Sequence, residues 1–235
     1  MSAKTVREER SSAIAVGFLY VLATAAGVAM VLTNAPTEVA PMAASRDAVL
    51  LSALFGMVMA IAVAGVAFMC YPVLVRDADT RSKQGLAAWY VGTRVTEGAI
   101  FVVGVMALMA RLAVSEGMAG ALAASAPAYE AVALALKTAF DYSWIAGQTV
   151  FCVGAVMLYW LLFVSKRVPR WLSVWGLIAA PMMLVGGLLL PFTGDPDSAV
   201  SSILYAPMGL QEMVLAVWLI VWGFRPSAVA TPTSR

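Results

Sequence analysis

The chain has 235 residues, of which 62% are hydrophobic and only 12% are charged. These values exclude a water-soluble domain, because such domains average about 25% charged residues. The mean hydropathy of +0.89 indicates an integral membrane protein, whose expected surrounding is the lipid bilayer. The net charge of +2 is too small to indicate a nucleic-acid partner.

Six apolar runs are long enough to cross a membrane as helices, since a span needs about 20 residues. In chain order they are Ala13–Leu32, Ala48–Val75, Leu86–Ala110, Tyr142–Val164, Leu172–Leu190 and Ile203–Phe224. The runs lack the alternating pattern of barrel strands. The predicted fold class is therefore all-α: a polytopic membrane protein with six transmembrane helices in a single domain, residues 1–235.

The longest connection between these runs is Arg111–Asp141. Its first half is rich in glycine and serine and is predicted to be a mobile loop. Pro127 is predicted to start a helix that continues into the fourth run, since proline is favoured in the first turn. Lys137 and Asp141 would then be four residues apart on one helix face and are predicted to pair.

Basic residues predict the orientation of the chain. One side holds eleven of them: Lys4, Arg7, Arg10, Arg76, Arg81, Lys83, Lys166, Arg167, Arg170, Arg225 and Arg235. The opposite side holds only Arg46, Arg111 and Lys137. The positive-inside rule then places both termini of this multi-pass protein in the cytoplasm.

Charged and amide side chains interrupt two of the six runs. Arg94 and Glu97 interrupt the third run, and Gln211 and Glu212 interrupt the sixth. A charge near the bilayer centre costs at least ~2.5–3.5 kcal/mol, so such residues are normally paired, inward-facing or functional. Because unpaired charges are costly there, we predict that the third and sixth helices are neighbours and that these side chains meet near the midplane.

The charges of this set bear on its chemistry. Arg94 and Glu97 are three residues apart and share one helix face. With Glu212 they carry one positive and two negative charges, which predicts a raised pKa for one glutamate or a bound cation. Gln148 and Asp141 are predicted to extend the polar path toward the outer face. The candidate ligand-binding residues are Arg94, Glu97, Gln211, Glu212, Gln148 and Asp141.

Other chemistry has less support in the sequence. The chain has no histidine, which argues against histidine-ligated haem, the usual zinc sites and histidine acid–base catalysis. Cys70 and Cys152 lie inside apolar runs and are interpreted as small core residues. No metal site and no cofactor is predicted.

Three segments resemble one bacterial membrane family. They are GTRVTEG at Gly92–Gly98, VPRWLSVWGLIA at Val168–Ala179, and GLQEMVLAVWLIVWGF at Gly209–Phe224. The chain is similar here to the domain-of-unknown-function family numbered 4386. The resemblance covers nearly all six runs and implies a six-helix inner-membrane protein, but it implies no known activity.

Three functions stay open at this stage. The first is binding or transport of a small amphiphilic molecule or ion, with Arg94 binding anionic groups and Glu97 and Glu212 carrying a proton or cation. The second is an intramembrane enzyme that uses a protonated glutamate on a lipid or isoprenoid, with no catalytic residue assigned. The third is a scaffold or sensor subunit, in which the polar set is a salt-bridge clamp and the partner is another membrane protein.

The order of the runs also allows a 3+3 arrangement. Glu97 and Glu212 lie near the middle of the third and sixth runs, which cross the membrane in opposite directions. An inverted repeat would place both carboxylates at a shared midplane site. The two halves share no convincing residue-level similarity, so this expectation rests on topology alone.

Overall fold

A computed structural model describes residues 3–193 and 199–226. Its long helices are α1 (Ala3–Leu32), α2 (Arg46–Arg76), α3 (Arg81–Ala119), α4 (Ala126–Ser165), α5 (Arg170–Thr193) and α6 (Ala199–Val221). The described residues form no strand, and six helices are long and apolar enough to cross a membrane. The predicted all-α class is confirmed, and the chain is a multi-pass membrane protein. Arg235, counted in the charge comparison above, lies outside the described residues.

The six helices form a closed ring. Each helix packs against the next one in the chain, and α1 also packs against α6. Within the described ranges, α3 and α6 share no extended packing interface, so the expectation that they are neighbours is wrong. Short connections favour packing between consecutive helices, and α3 is accordingly held by α2 and α4. The 3+3 arrangement stays a prediction.

Two glycines bring the neighbours of α3 unusually close. A Cβ atom on Gly98 of α3 would lie 2.7 Å from the carbonyl oxygen of Ala60 on α2. A Cβ atom on Gly154 of α4 would collide with the side chain of Thr93 on α3. Small residues at such positions let helix backbones approach within a membrane. They fix the segment of α3 that carries Arg94 and Glu97.

The segment that was predicted to be a mobile loop begins as a continuation of helix α3 instead. Helix α3 continues to Ala119, and its extension contacts the α1–α2 connection. The Arg111 guanidinium donates a hydrogen bond to the carbonyl of Thr37, and the Ser115 hydroxyl accepts one from the backbone N–H of Ala43 at 2.9 Å. These contacts satisfy polar side chains of the segment that was predicted to be a mobile loop, so the helix does not end where the apolar run ends.

The start of α4 agrees with the sequence. The helix begins at Ala126, with Pro127 in its first turn. The Lys137 ammonium lies 2.7 Å from the Asp141 carboxylate, which confirms the predicted pair. The 39 residues of α3 extend about 58 Å at 1.5 Å per residue. That length exceeds the ~30 Å hydrocarbon core, so α3 projects beyond it.

The two ends of the bundle differ. Arg10 near the start of α1 donates a hydrogen bond to the carbonyl of Ile220 near the end of α6, at 2.7 Å. Both ends of the described chain therefore lie on one face, together with the α2–α3 and α4–α5 connections. We call this the terminal face. The face that carries the α1–α2 and α3–α4 connections is called the opposite face.

Candidate functional site

A cavity of about 620 Å³ lies inside the ring and is called the central cavity. All six helices line it. Its charged residues are Arg94, Glu97 and Glu212. Its uncharged polar residues are Tyr20, Thr24, Gln148 and Tyr205, and the other lining residues are mostly aliphatic or aromatic. The structure thus brings the three predicted ionisable residues to one space, but they face it from α3 and α6, which share no extended packing interface within the described ranges.

Arg94 is held by three groups. Its guanidinium lies 2.9 Å from the Glu97 carboxylate, and both side chains are almost fully buried. Its Nε donates to the carbonyl of Val63 on α2 at 3.4 Å. Its Cζ sits 4.9 Å from the ring centroid of Phe151 on α4, a position that favours cation–π attraction. The positive charge of the site is therefore already engaged within the protein.

The carboxylate oxygens of Glu97 and Glu212 have fewer partners within the protein than the guanidinium of Arg94 has. Glu212 forms neither a hydrogen bond nor an ion pair with any described residue, although the charge of Arg94 attracts it at longer range. The Oε2 atom of Glu97 is close enough to Arg94 for an ion pair, but it accepts no hydrogen bond in the described part of the chain. The central cavity therefore offers acceptor oxygens from both α3 and α6.

Gln211 does not line the central cavity. Its Oε1 accepts a hydrogen bond from the Tyr159 hydroxyl of α4 at 2.5 Å, and its Nε2 donates to the carbonyl of Leu172 on α5 at 3.2 Å. Consecutive residues of a helix point about 100° apart, so Gln211 and Glu212 face different neighbours. Gln211, a candidate ligand residue by sequence, instead links α6 to α4 and α5.

Two further cavities adjoin the central one toward the opposite face. Gln148 and Trp144 line both the central cavity and a second cavity of about 510 Å³, which also contains Asp141 and Lys137. Trp144 also lines a third cavity of about 440 Å³. Gln148 donates to the carbonyl of Met183 at 2.9 Å. Asp141 therefore lies in the outer cavity rather than beside Glu212, and Gln148 lies between the two spaces.

The terminal face contains a buried charge network that the sequence analysis missed. The fully buried guanidinium of Arg167 binds Asp77 through two nitrogens, one at 2.8 Å, and binds Glu9 at 2.9 and 3.2 Å. It also donates to the carbonyl of Arg225 at 3.0 Å. Arg76 lies 2.6 Å from Glu9. The network joins α1, the α2–α3 and α4–α5 connections, and the segment after α6.

The local chain directs Arg167 inward. Lys166 adopts a left-handed backbone with φ of 58°, which ends α4, and α5 begins at Arg170. Burial lowers the pKa of Arg167, but the hydrogen bonds and negative charges of Asp77 and Glu9 raise it above its ordinary value. The sequence analysis counted Arg167 only among the basic residues that set the orientation of the chain. The sequence contained one signal for this network: the acidic residues Glu9 and Asp77 lie on the same predicted side of the membrane as Arg167.

The two cysteines belong neither to the lining of the central cavity nor to the charge network of the terminal face. Cys70 and Cys152 are free and buried, in agreement with their interpretation as core residues. Across residues 3–193 and 199–226, no cluster of three histidine, cysteine, aspartate or glutamate side chains is placed to hold a metal ion.

These features define a six-helix membrane protein with an internal, partly charged cavity. A family model matches residues 13–223, and the chain belongs to that family, described as Domain of unknown function (DUF4386). The match includes the first two segments that carried the resemblance and all of the third except its last residue, Phe224. No curated protein and no solved structure matches the chain.

Proposed function

We propose that this protein binds a small amphiphilic molecule in the central cavity. The observation that carries the proposal is the composition of its wall, in which three ionisable side chains adjoin a largely aliphatic and aromatic surface. Small-molecule sites are commonly concave, mostly apolar and fitted with a few fixed polar groups. The volume of about 620 Å³ lies within the ~300–1,000 Å³ usual for such sites.

The arrangement of the charges supports binding over a structural clamp. The Arg94–Glu97 ion pair lies within α3, although Arg94 also contacts Val63 on α2 and Phe151 on α4. Glu212 has no hydrogen-bonded or ion-paired partner among the described residues. Links between distant segments are supplied elsewhere, by Gln211 inside the bundle and by Arg167 at the terminal face. Among the charged groups of the cavity, the carboxylate of Glu212 is therefore left for an occupant.

The adjoining cavities support a route of entry. Trp144 and Gln148 separate the central cavity from spaces near the opposite face. At the terminal face, the Arg167 network joins the ends of several helices. We infer that the amphiphile enters from the opposite face. Transport belongs to the same hypothesis and is tested separately, by uptake of a labelled amphiphile into vesicles that contain the protein.

We also propose that the protein resides in the inner membrane with its terminal face in the cytoplasm. The support is the excess of lysine and arginine in the segments of that face. A phosphatase that folds only outside the cytoplasm, fused after Arg235, should be inactive. The same enzyme inserted at Leu122, in the α3–α4 connection, should be active. The reverse pattern would overturn the orientation.

Native mass spectrometry tests the binding proposal with three probes: dodecylamine, dodecanol and dodecanoate. The wild type should retain at least one of them saturably, at one molecule per chain. Thr24→Trp places a large side chain in the cavity and should abolish this binding. Val21→Trp, on the exposed side of the same helix, is the matched control and should bind normally. Failure of all three probes to bind, or equal binding by both variants, would contradict the proposal.

A further inference from the structure

We infer that the occupant of the central cavity is a cationic amphiphile whose positive group pairs with Glu212, an inference that rests on the proposed function. The three ionisable side chains of the cavity carry one positive and two negative formal charges, a net charge of −1. Within the membrane-spanning part of the bundle such a charge is costly unless it is balanced. Either a proton on one glutamate or a ligand with one positive charge balances it, and the contacts of Arg94 and the aromatic wall favour the ligand.

The engagement of Arg94 argues against an anionic ligand. Its guanidinium already contacts Glu97, the carbonyl of Val63 and the face of Phe151. An anion would have to displace Glu97 from this arrangement, which would leave a buried carboxylate without its partner. It would also lie in the field of Glu212. A cation meets neither difficulty, because Glu212 has no ion-paired partner in the described chain.

The aromatic wall favours the same ligand charge. The aromatic residues that line the cavity are Tyr20, Phe101, Trp144, Phe151 and Tyr205. Aromatic faces attract organic cations, most strongly where water is excluded. The position of the Arg94 guanidinium over Phe151 shows this attraction within the cavity itself. Of the remaining aromatic side chains, Phe101 and Trp144 contact each other, with ring centroids 4.8 Å apart.

A divalent metal cation fits this space poorly. Calcium and magnesium require about six or more oxygen ligands within ~2.0–2.6 Å. The described residues contain no cluster of three side chains placed to hold a metal. The volume of about 620 Å³ instead suits an organic body, with a single carboxylate to fix its charged end. The chemical class is therefore an amine, ammonium or phosphonium with a substantial apolar part.

Two rigid probes of matched shape and opposite charge test this inference. Tetraphenylphosphonium and tetraphenylborate are titrated into the detergent-purified protein by calorimetry. The wild type should bind the phosphonium at least about tenfold more tightly than the borate, a difference of about 1.4 kcal/mol. Glu212→Gln should lose at least that factor for the phosphonium, whereas Glu212→Asp, which keeps the charge, should retain the preference for the cation.

The control and the contrary outcomes separate the two proposals. Glu130→Gln changes the net charge equally at an exposed site on α4 and should bind like the wild type. Tighter binding of the borate, or unchanged phosphonium binding by a folded Glu212→Gln, would overturn the cationic assignment. Saturable borate binding that Thr24→Trp abolishes would still support an amphiphile site. Absence of binding by both ions and by all three dodecyl probes would overturn both proposals.

Discussion

The guanidinium of Arg94 lies 2.9 Å from the carboxylate of Glu97, about one turn further along α3. Both side chains are buried within the membrane-spanning part of the bundle. The pair keeps one positive and one negative charge together in an apolar surrounding, which is far less costly than either charge alone. Of the two carboxylates in the cavity, it leaves Glu212, on α6, without an ion-paired partner among the described residues.

Removal of one member of this pair should destabilise the fold. Arg94→Ala leaves the Glu97 carboxylate buried without its counter-charge, which is expected to lower the free energy of unfolding by about 3–5 kcal/mol. Adding Glu97→Gln should restore part of that loss. Reversible unfolding in mixed micelles measures both variants. Arg46→Ala removes an exposed pair with Glu116 and should cost less than about 1 kcal/mol. Equal stability of wild type and Arg94→Ala would contradict this account.

The hydrogen bond from Tyr159 to Gln211 should contribute to stability but not to ligand binding. Tyr159→Phe leaves the buried Oε1 of Gln211 without its donor, at an expected cost of about 1–3 kcal/mol. Binding of the dodecyl probes should change little, because Gln211 does not line the central cavity. Tyr71→Phe, at an exposed position on α2, is the control. A large loss of binding with unchanged stability would place Gln211 in the ligand site instead.

Arg167 should be the most sensitive position of the terminal face. Arg167→Met leaves Asp77 and Glu9 without their main partner, which should cost at least about 3–5 kcal/mol. Arg167→Lys keeps the charge but cannot reproduce the planar, multiply bonded arrangement, so its stability should be intermediate. Arg81→Met, at an exposed site of the same face, should be nearly neutral. The same thermal stability for all three variants would show that the network contributes little.

The cavities near the opposite face predict a pattern of chemical access. Gln148→Cys, in a Cys70→Ala, Cys152→Ala background, should react with a water-soluble maleimide through the adjoining spaces. Ser173→Cys, at a fully buried site on α5, should react far more slowly. Labelling is followed by the mass of the intact protein. Equal labelling rates at the two positions would contradict a water-accessible route past Gln148.

Most of the fold could be predicted from the sequence because membrane helices follow from length and hydropathy alone. Charged residues inside apolar runs similarly identified Arg94, Glu97 and Glu212, since the bilayer makes such positions costly. Packing partners could not be predicted in this way. They depend on local fits such as Gly98 against Ala60, which involve residues distant in sequence. The neighbours of α3 were therefore predicted wrongly.

The direction in which individual side chains point was the second feature that could not be predicted from the sequence. Gln211 and Glu212 are adjacent in sequence, but the rotation of α6 about its axis decides which of them faces the cavity. A single sequence does not fix that rotation. Arg167 was missed for a related reason. A basic residue in a short connection is usually exposed, and only the approach of Glu9 and Asp77 from other helices makes its burial favourable.

Protection of Gln148→Cys by a bound amphiphile tests the central claim most directly, because it reports occupancy at a known place. Maleimide labelling is measured without and with saturating dodecylamine, dodecanol or dodecanoate. At least one probe should slow the labelling of Gln148→Cys saturably, while Thr138→Cys, on an exposed side of α4, should react at an unchanged rate. If every probe leaves Gln148→Cys labelling unchanged, or slows both positions equally, the central cavity does not hold the amphiphile.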